Sequence, residues 1–234
     1  MYRGRIEILH LIDGARSARG LAVIIDVFRA FSLECTLIAL GAREVRPVGT
    51  IEEAFAWRQR DPDCLLAGER GGIMCEGFDF GNSPSSVGKA DISGRRIIHT
   101  TSAGTQGLVN ATGADEMLAG CLMNARATAE YIMAVDPERV SLVCMGKLGK
   151  RRAAEDALCA EYIEGLLRDA PMPDFEARAL ALREGDGSHF FDPEKQVSFP
   201  EADFWHCIRR DVAPFALKVE RDDLGLITRR IDPQ

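Results

Sequence analysis

Residues 68–84 read Gly-Glu-Arg-Gly-Gly-Ile-Met-Cys-Glu-Gly-Phe-Asp-Phe-Gly-Asn-Ser-Pro, a stretch dense in groups able to do chemistry. Gly68, Gly71, Gly72, Gly77 and Gly81 are interleaved with Glu69, Arg70, Glu76, Asp79, Asn82 and Ser83. Glycine in that number costs backbone entropy without burying apolar surface, and the usual reason is backbone brought close to another group. The carboxylates suit a hard cation and the arginine an anion. The competing explanation, a solvated loop with turn glycines, leaves the mixture of acids, arginine and Asn-Ser-Pro without a cause.

Three further clusters carry similar residue types. Asp26 ends an apolar run and is followed by Arg29; its carboxylate suits a metal ligand or general base, or else the N-cap of a following helix. Residues 100–105, Thr-Thr-Ser-Ala-Gly-Thr, open a helix, where free backbone N–H groups and hydroxyls make an anion site; a plain hydroxyl cap is the simpler alternative. Residues 146–152 bring Lys147, Lys150, Arg151 and Arg152 after a strand, with Glu155 and Asp156 in the next helix's first turns, where acids also suit the helix dipole. Several phosphate chemistries are excluded. There is no G-x-x-x-x-G-K-[ST] loop. Phe28 stands where an Asp-x-Asp phosphatase needs its second acid, and Cys144 and Arg151 miss the Cys-x5-Arg spacing by one residue. His10, His99, His189 and His206 are dispersed, which disfavours zinc and favours an oxygen-liganded ion such as Mg²⁺.

The elements that must position these clusters alternate. Residues 21–26 read as a buried strand, 30–41 as a helix and 44–48 as a strand. Residues 51–60 form a helix with Thr50 as N-cap and Glu53 at the capping-box position. Strands at 64–67 and 96–99, a helix from about 106, a strand at 116–118, a helix at 124–134, a strand at 140–145 and a helix at 153–168 continue the series. Residues 171–200 are irregular, 201–211 helical, and 215–231 one or two closing strands. The pattern predicts an α/β fold, three-layer α/β/α with a largely parallel or mixed central sheet. One domain over residues 1–234 is expected, with a candidate lobe boundary near Pro171 to Pro173. All four clusters fall at carboxyl ends of strands, where open α/β sheets bind ligands.

Composition narrows the setting. A net charge of −7 argues against nucleic acid as a partner. Seven scattered cysteines without a Cys-x-x-Cys pair read as small buried hydrophobes in a reducing compartment. The start of the chain lacks an apolar h-region, and no segment approaches the roughly 18 apolar residues that span a bilayer. A cytoplasmic protein without a membrane partner is expected, with a homodimer as the ordinary base-rate assembly.

In order, residues 26–32 (Asp-Val-Phe-Arg-Ala-Phe-Ser), 68–84, 100–105 and 146–156 resemble the motifs of the 2-phosphosulfolactate phosphatase family, from about residue 20 to 165. The resemblance implies a three-layer α/β fold and Mg²⁺-dependent removal of phosphate from (2R)-2-phospho-3-sulfolactate, a step toward coenzyme M. Its substrate would be a small anionic phosphomonoester. On this resemblance Asp26, Glu69, Asp79 and Asp156 are the expected ligands of the metal or its waters, assigned by charge and chain position. Asp26, Glu69 and Arg70 are the expected catalytic residues. Arg29, Ser83, Thr101, Gly104, Thr105 and Lys147 are expected to bind substrate. Phe28, Phe31 and Ser102-Ala103 depart from the Leu, Thr and Thr-Asn of relatives, and Phe31 and Ala103 would remove polar groups from the pocket. Two other functions stay open on the residues alone: a non-catalytic binder of small phosphate or sulfonate ligands, and another Mg²⁺ enzyme, a lyase or phosphotransferase, acting on a small phosphorylated acid.

Overall fold

The run Leu-Ala-Val-Ile-Ile has no polar side at all, and as strand β2 (Leu21–Ile25) it is buried on both faces. A strand of that kind belongs in the middle of a sheet covered by helices on both sides. The computed structural model describes residues 1–89 and 91–233. In chain order its elements are β1 (Arg5–His10), α1 (Leu11–Ser17), β2, α2 (Ala30–Ala39), β3 (Glu44–Pro47), α3 (Ile51–Arg60), β4 (Leu65–Arg70) and β5 (Ile73–Met74). They continue with β6 (Arg96–Thr100), α4 (Gly104–Asn110), β7 (Glu116–Gly120), α5 (Ala125–Val135), β8 (Arg139–Cys144) and α6 (Ala154–Arg168). The last are α7 (Phe175–Ala181), α8 (Glu201–Cys207), β9 (Ala216–Asp222) and β10 (Gly225–Ile231).

The ten strands pair in the order β1-β8-β2-β7-β9-β10-β3-β6-β4-β5. Strands β1, β8, β2 and β7 form one parallel run, and β3, β6 and β4 another. The β9–β10 hairpin joins them, antiparallel to β7 on one side and to β3 on the other. The sheet is therefore mixed, as expected for this α/β fold. Side chains alternate between two cores along each central strand. Ala22 and Ile24 of β2 pack with α1, α2 and α4, whereas Leu21, Val23 and Ile25 pack with α5, α6, α7 and α8. In the second run Ala67 and Ile97 join the first core, while Leu66 and Ile98 pack against Ala54 and Trp57 of α3. Helices thus cover both faces.

The sequence-derived boundaries differ from the observed ones in places with clear causes. β1 and α1 were not expected. The helix is only seven residues long and carries Gly14 at its centre, where an added Cβ would lie 3.1 Å from Leu9. The strand from residue 64 does not stop before the glycine-rich run but continues through Glu69 and Arg70, which pair with Met74 and Ile73 of β5. Gly71 and Gly72 form the two-residue turn, with φ of 65° and 84°, the conformation that a tight hairpin of this hand requires. α8 stops at Cys207 rather than 211; Asp211 is left-handed and donates its amide to the Leu122 carbonyl instead of to the helix. The irregular stretch 171–200 contains α7 and short 3-10 turns. α3 has the expected capping box: Thr50 Oγ1 accepts from the Glu53 amide and the Glu53 carboxylate accepts from the Thr50 amide.

Candidate active site

β2 and β8 are parallel neighbours, so their carboxyl ends lie side by side, and Asp156 on the first turn of α6 binds both ends. Its Oδ1 accepts from the Val27 amide at 2.8 Å and its Oδ2 from the Gly146 amide at 2.7 Å. Asp26 follows β2 directly. Its Oδ1 accepts from the Ala30 amide at 3.2 Å, which starts α2. Its Oδ2 lies against the first residue of α4: a Cβ on Gly104 would come within 2.9 Å of that oxygen and 2.7 Å of the Ala30 methyl. The start of α4 therefore faces a carboxylate of the protein itself.

Asp26, Asp156 and Glu155 line one cavity of about 290 Å³. All three are buried, and Oε2 of Glu155 has no hydrogen-bond partner among the described residues. Burial, reinforced by the neighbouring Asp156 and Glu69, pushes the Asp26 carboxyl up to about 8. Burial and Glu155 push Asp156 to about 8, and burial with Asp186 and Asp26 does the same to Glu155. Each wants its charge neutralised, by a proton or by a cation.

Glu69 completes the acidic side. Its carboxylate accepts from the Ser102 amide at 2.6 Å, the Ser102 hydroxyl at 3.1 Å and the Gly72 amide, tying the β4–β5 turn to the loop after β6. The cationic side comes from Arg29, Lys147 and Lys195, with His189 and Phe199 beside them. Arg29 is committed: it donates to Asp203 at 2.7 Å and to the Ser198 carbonyl at 2.8 Å, and it lies 4.7 Å from the centre of the Phe199 ring. Burial, followed by the charges of Lys147 and Arg29, lowers His189 to about 4, so it is neutral at physiological pH.

The structure brings Asp26, Glu69, Asp156, Arg29 and Lys147 to this cavity, with Gly104 packed behind Asp26. It takes others elsewhere. Arg70 and Thr101 line a neighbouring cavity that shares Gly71, Ser102 and Leu148 with the first; Arg70 donates to Thr100 Oγ1 at 3.0 Å and to the Glu69 carbonyl at 2.7 Å. Thr101 and Thr105 answer each other: Thr105 Oγ1 accepts from the Thr101 amide at 2.8 Å, and Thr101 Oγ1 from the Thr105 amide at 3.1 Å. Asp79 accepts from the Leu66 amide at 2.7 Å and pairs with Arg58, and it lines neither cavity. Ser83 donates to Asp203 at 2.8 Å and supports the Arg29 anchor rather than the cavity. Phe31 is fully buried in the core, while Phe28 and Ala103 do line the cavity. The sequence reading passed over Glu155, Asn82, Asp186, His189, Lys195 and Phe199, all of which line it. Two of them had a readable signal: Asn82 stands in the glycine-rich run, and Glu155 lies beside Asp156, where the helix dipole offered an ordinary explanation.

An acidic pocket with cationic side chains in its wall thus lies at the strand ends of a mixed α/β sheet, where such folds bind small ligands. Residues 7–190 match the 2-phosphosulpholactate phosphatase family, and the chain belongs to it. It is 36% identical over 208 residues to a probable 2-phosphosulfolactate phosphatase of Caldicellulosiruptor saccharolyticus, covering 81% of this chain and 85% of that one. Proteins with the same description in Deinococcus radiodurans and Bacillus subtilis are 39% and 29% identical, covering 71% and 86% of this chain and 71% and 87% of theirs. No helix among the described residues is long and apolar enough to cross a membrane.

Proposed function

We propose that this chain is a Mg²⁺-dependent phosphomonoester hydrolase that converts 2-phospho-3-sulfolactate and water to 3-sulfolactate and inorganic phosphate. The observation that carries this reading is the gathering of three buried carboxyls, Asp26, Glu155 and Asp156, in one small cavity with cations in its lining. Family membership and the names of the relatives supply the substrate.

The donor set fits the ion. Hard carboxylate oxygens lie beside an unpartnered Glu155 Oε2, in surroundings that hold all three acids well above their ordinary range. Among the described residues no group of three Asp, Glu, His or Cys side chains is placed to hold a metal ion by itself. Mg²⁺ asks for none, since it keeps several waters and takes one or two carboxylates plus substrate phosphate oxygens. Asp26 and Asp156 would hold it. When bound, the ion neutralises phosphoryl oxygens and makes a bound water more acidic.

The remaining work falls to the chain. Lys147 and Lys195 hold the anionic substrate, and Phe28, Phe199 and Ala103 give the cavity an apolar wall. A water oxygen forms the new bond to phosphorus as the bond to the ester oxygen breaks. Glu155 gives its proton to the departing alkoxide and regains one afterwards from the dihydrogen phosphate that the water forms, so the step balances. The test is release of inorganic phosphate from phosphosulfolactate, phospholactate and phosphoglycerate, with Mg²⁺ and with EDTA. Metal-dependent release, fastest on phosphosulfolactate, is expected; no metal-dependent release from any of them would sink the reading.

A further inference from the structure

Asn82 belongs to the glycine-rich run, lines the same cavity and has no part in the chemistry above. Behind it lies a chain of buried polar groups. Asn82 Oδ1 is 3.3 Å from His99 Nε2, and His99 Nδ1 is 2.8 Å from Glu34 Oε1. His99 and Glu34 are fully buried, and Asn82 is 7% exposed. Each comes from a different element: Glu34 from α2, His99 from β6 and Asn82 from the loop after β5. Burying an acid and an imidazole at the centre of a fold is costly unless the arrangement is needed.

We propose that Asn82 is a ligand-binding residue that gives its Nδ2 hydrogens to an oxygen of the phosphoryl or sulfonyl group, and that His99 and Glu34 are positioning residues that fix the amide in this sense. The amide can sit in two ways. With a proton on Nε2, His99 donates to Asn82 Oδ1 and the amide presents N–H bonds to the cavity. With Nε2 bare, the amide turns over and presents its carbonyl, which an anion would repel. Glu34 holds Nδ1 as an ion pair, so the ring carries a proton on each nitrogen, is kept from rotating, and directs its Nε2–H at Asn82. In a cavity with five acids in its wall, Asp26, Glu69, Glu155, Asp156 and Asp186, a fixed neutral donor is what an anionic ligand needs.

The identity of the anion rests on the proposed function; the direction of the amide does not. The test therefore measures binding of inorganic phosphate, with Mg²⁺ present, by titration calorimetry, and turnover separately. Asn82→Ala should weaken phosphate roughly 10- to 100-fold, the range of a hydrogen bond to a charged group. His99→Phe should weaken it several-fold in the native background and not at all in the Asn82→Ala background, since its effect passes through Asn82. His99→Gln, which keeps a donor toward Asn82 and a smaller disturbance of the core, should retain most of the affinity. Equal phosphate affinity in Asn82→Ala, additive losses in the double variant, or no phosphate binding by the native protein would each overturn the inference. Phosphate binding that follows this pattern without any turnover would leave it standing and remove the hydrolase reading instead.

Discussion

Single residues in this site are held in states they would not choose in water. Glu155 is the plainest case: buried, unpartnered at Oε2 and raised to about 8. Replacing it with Gln keeps the shape and removes the ionisable group. At pH 8 without metal, Glu155→Gln should melt about 2–4 °C higher than the native protein, the shift of roughly 1 kcal/mol in a chain of this size, while kcat for phosphate release falls at least tenfold. An unchanged kcat would remove Glu155 from the proton transfer. Arg29 shows the opposite dependence. Its partner Asp203 is fully buried and also accepts from Ser83 and Ser85, so truncating Arg29 strands a carboxylate inside the protein. Arg29→Ala should cost about 3–5 kcal/mol in chemical denaturation, whereas the exposed Lys147→Ala should change stability by less than about 0.5 kcal/mol and raise KM. Arg29 read from sequence as a substrate clamp; its partner lies 174 positions away, and no local pattern announces such a pair.

Elements position the site through contacts that leave no room. α4 begins at Gly104 because Asp26 and Ala30 occupy the place of a side chain there. Gly104→Ala should therefore shift Asp26, destabilise the protein by about 1–3 kcal/mol as an overpacked core does, and lower phosphate release far more than that loss of stability explains. Thr50→Ala offers the control. It removes a cap that does not line the acidic cavity, so it should cost about 1 kcal/mol with kcat unchanged; if activity fell in parallel with Gly104→Ala, the special role of the α4 start would be lost. What the sequence disclosed follows the same division. Strong local codes were legible: the all-apolar β2, the Thr50–Glu53 box, the alternation of strands and helices, and the clusters at strand ends. Signals weaker than their surroundings were not. α1 is short and glycine-broken, and the Gly71-Gly72 turn looked like open loop because the two residues of β5 beside it are too few to show a period. Asp79 looked like a ligand because it stands in the motif, yet its partners Leu66 and Arg58 come from β4 and α3. The residues over the cavity from 186–199 carry no motif, and only folding brings them there.

At the scale of the whole molecule, the buried acids link folding, pH and metal in one balance. In the unfolded chain Asp26, Glu155 and Asp156 release their protons near 3.8 to 4.5, whereas the folded protein keeps them to about 8. Between those limits the folded state binds more protons, so stability of the metal-free protein falls as pH rises. His189 works the other way between about 4 and 6.5, because its folded value lies below its unfolded one and stability is lost there as pH falls. One imidazole opposes three carboxyls, so the decline is shallow up to about 6.5 and steeper from there to 8. Mg²⁺ competes with the protons on Asp26 and Asp156, and its stabilising effect must grow over that window. Thermal melting at pH 5, 6.5 and 8, in EDTA and in excess Mg²⁺, reads this directly. The EDTA series should fall with pH, and the gap between the series should open from near zero at pH 5 to about 5–10 °C at pH 8, the effect of an ion at roughly 100 times its dissociation constant, about 2.7 kcal/mol. Asp26→Asn should make the EDTA series less steep and shrink the gap together, since this carboxyl contributes to both. A gap that stays constant across the three pH values would place the metal away from these carboxyls and break the proposed site.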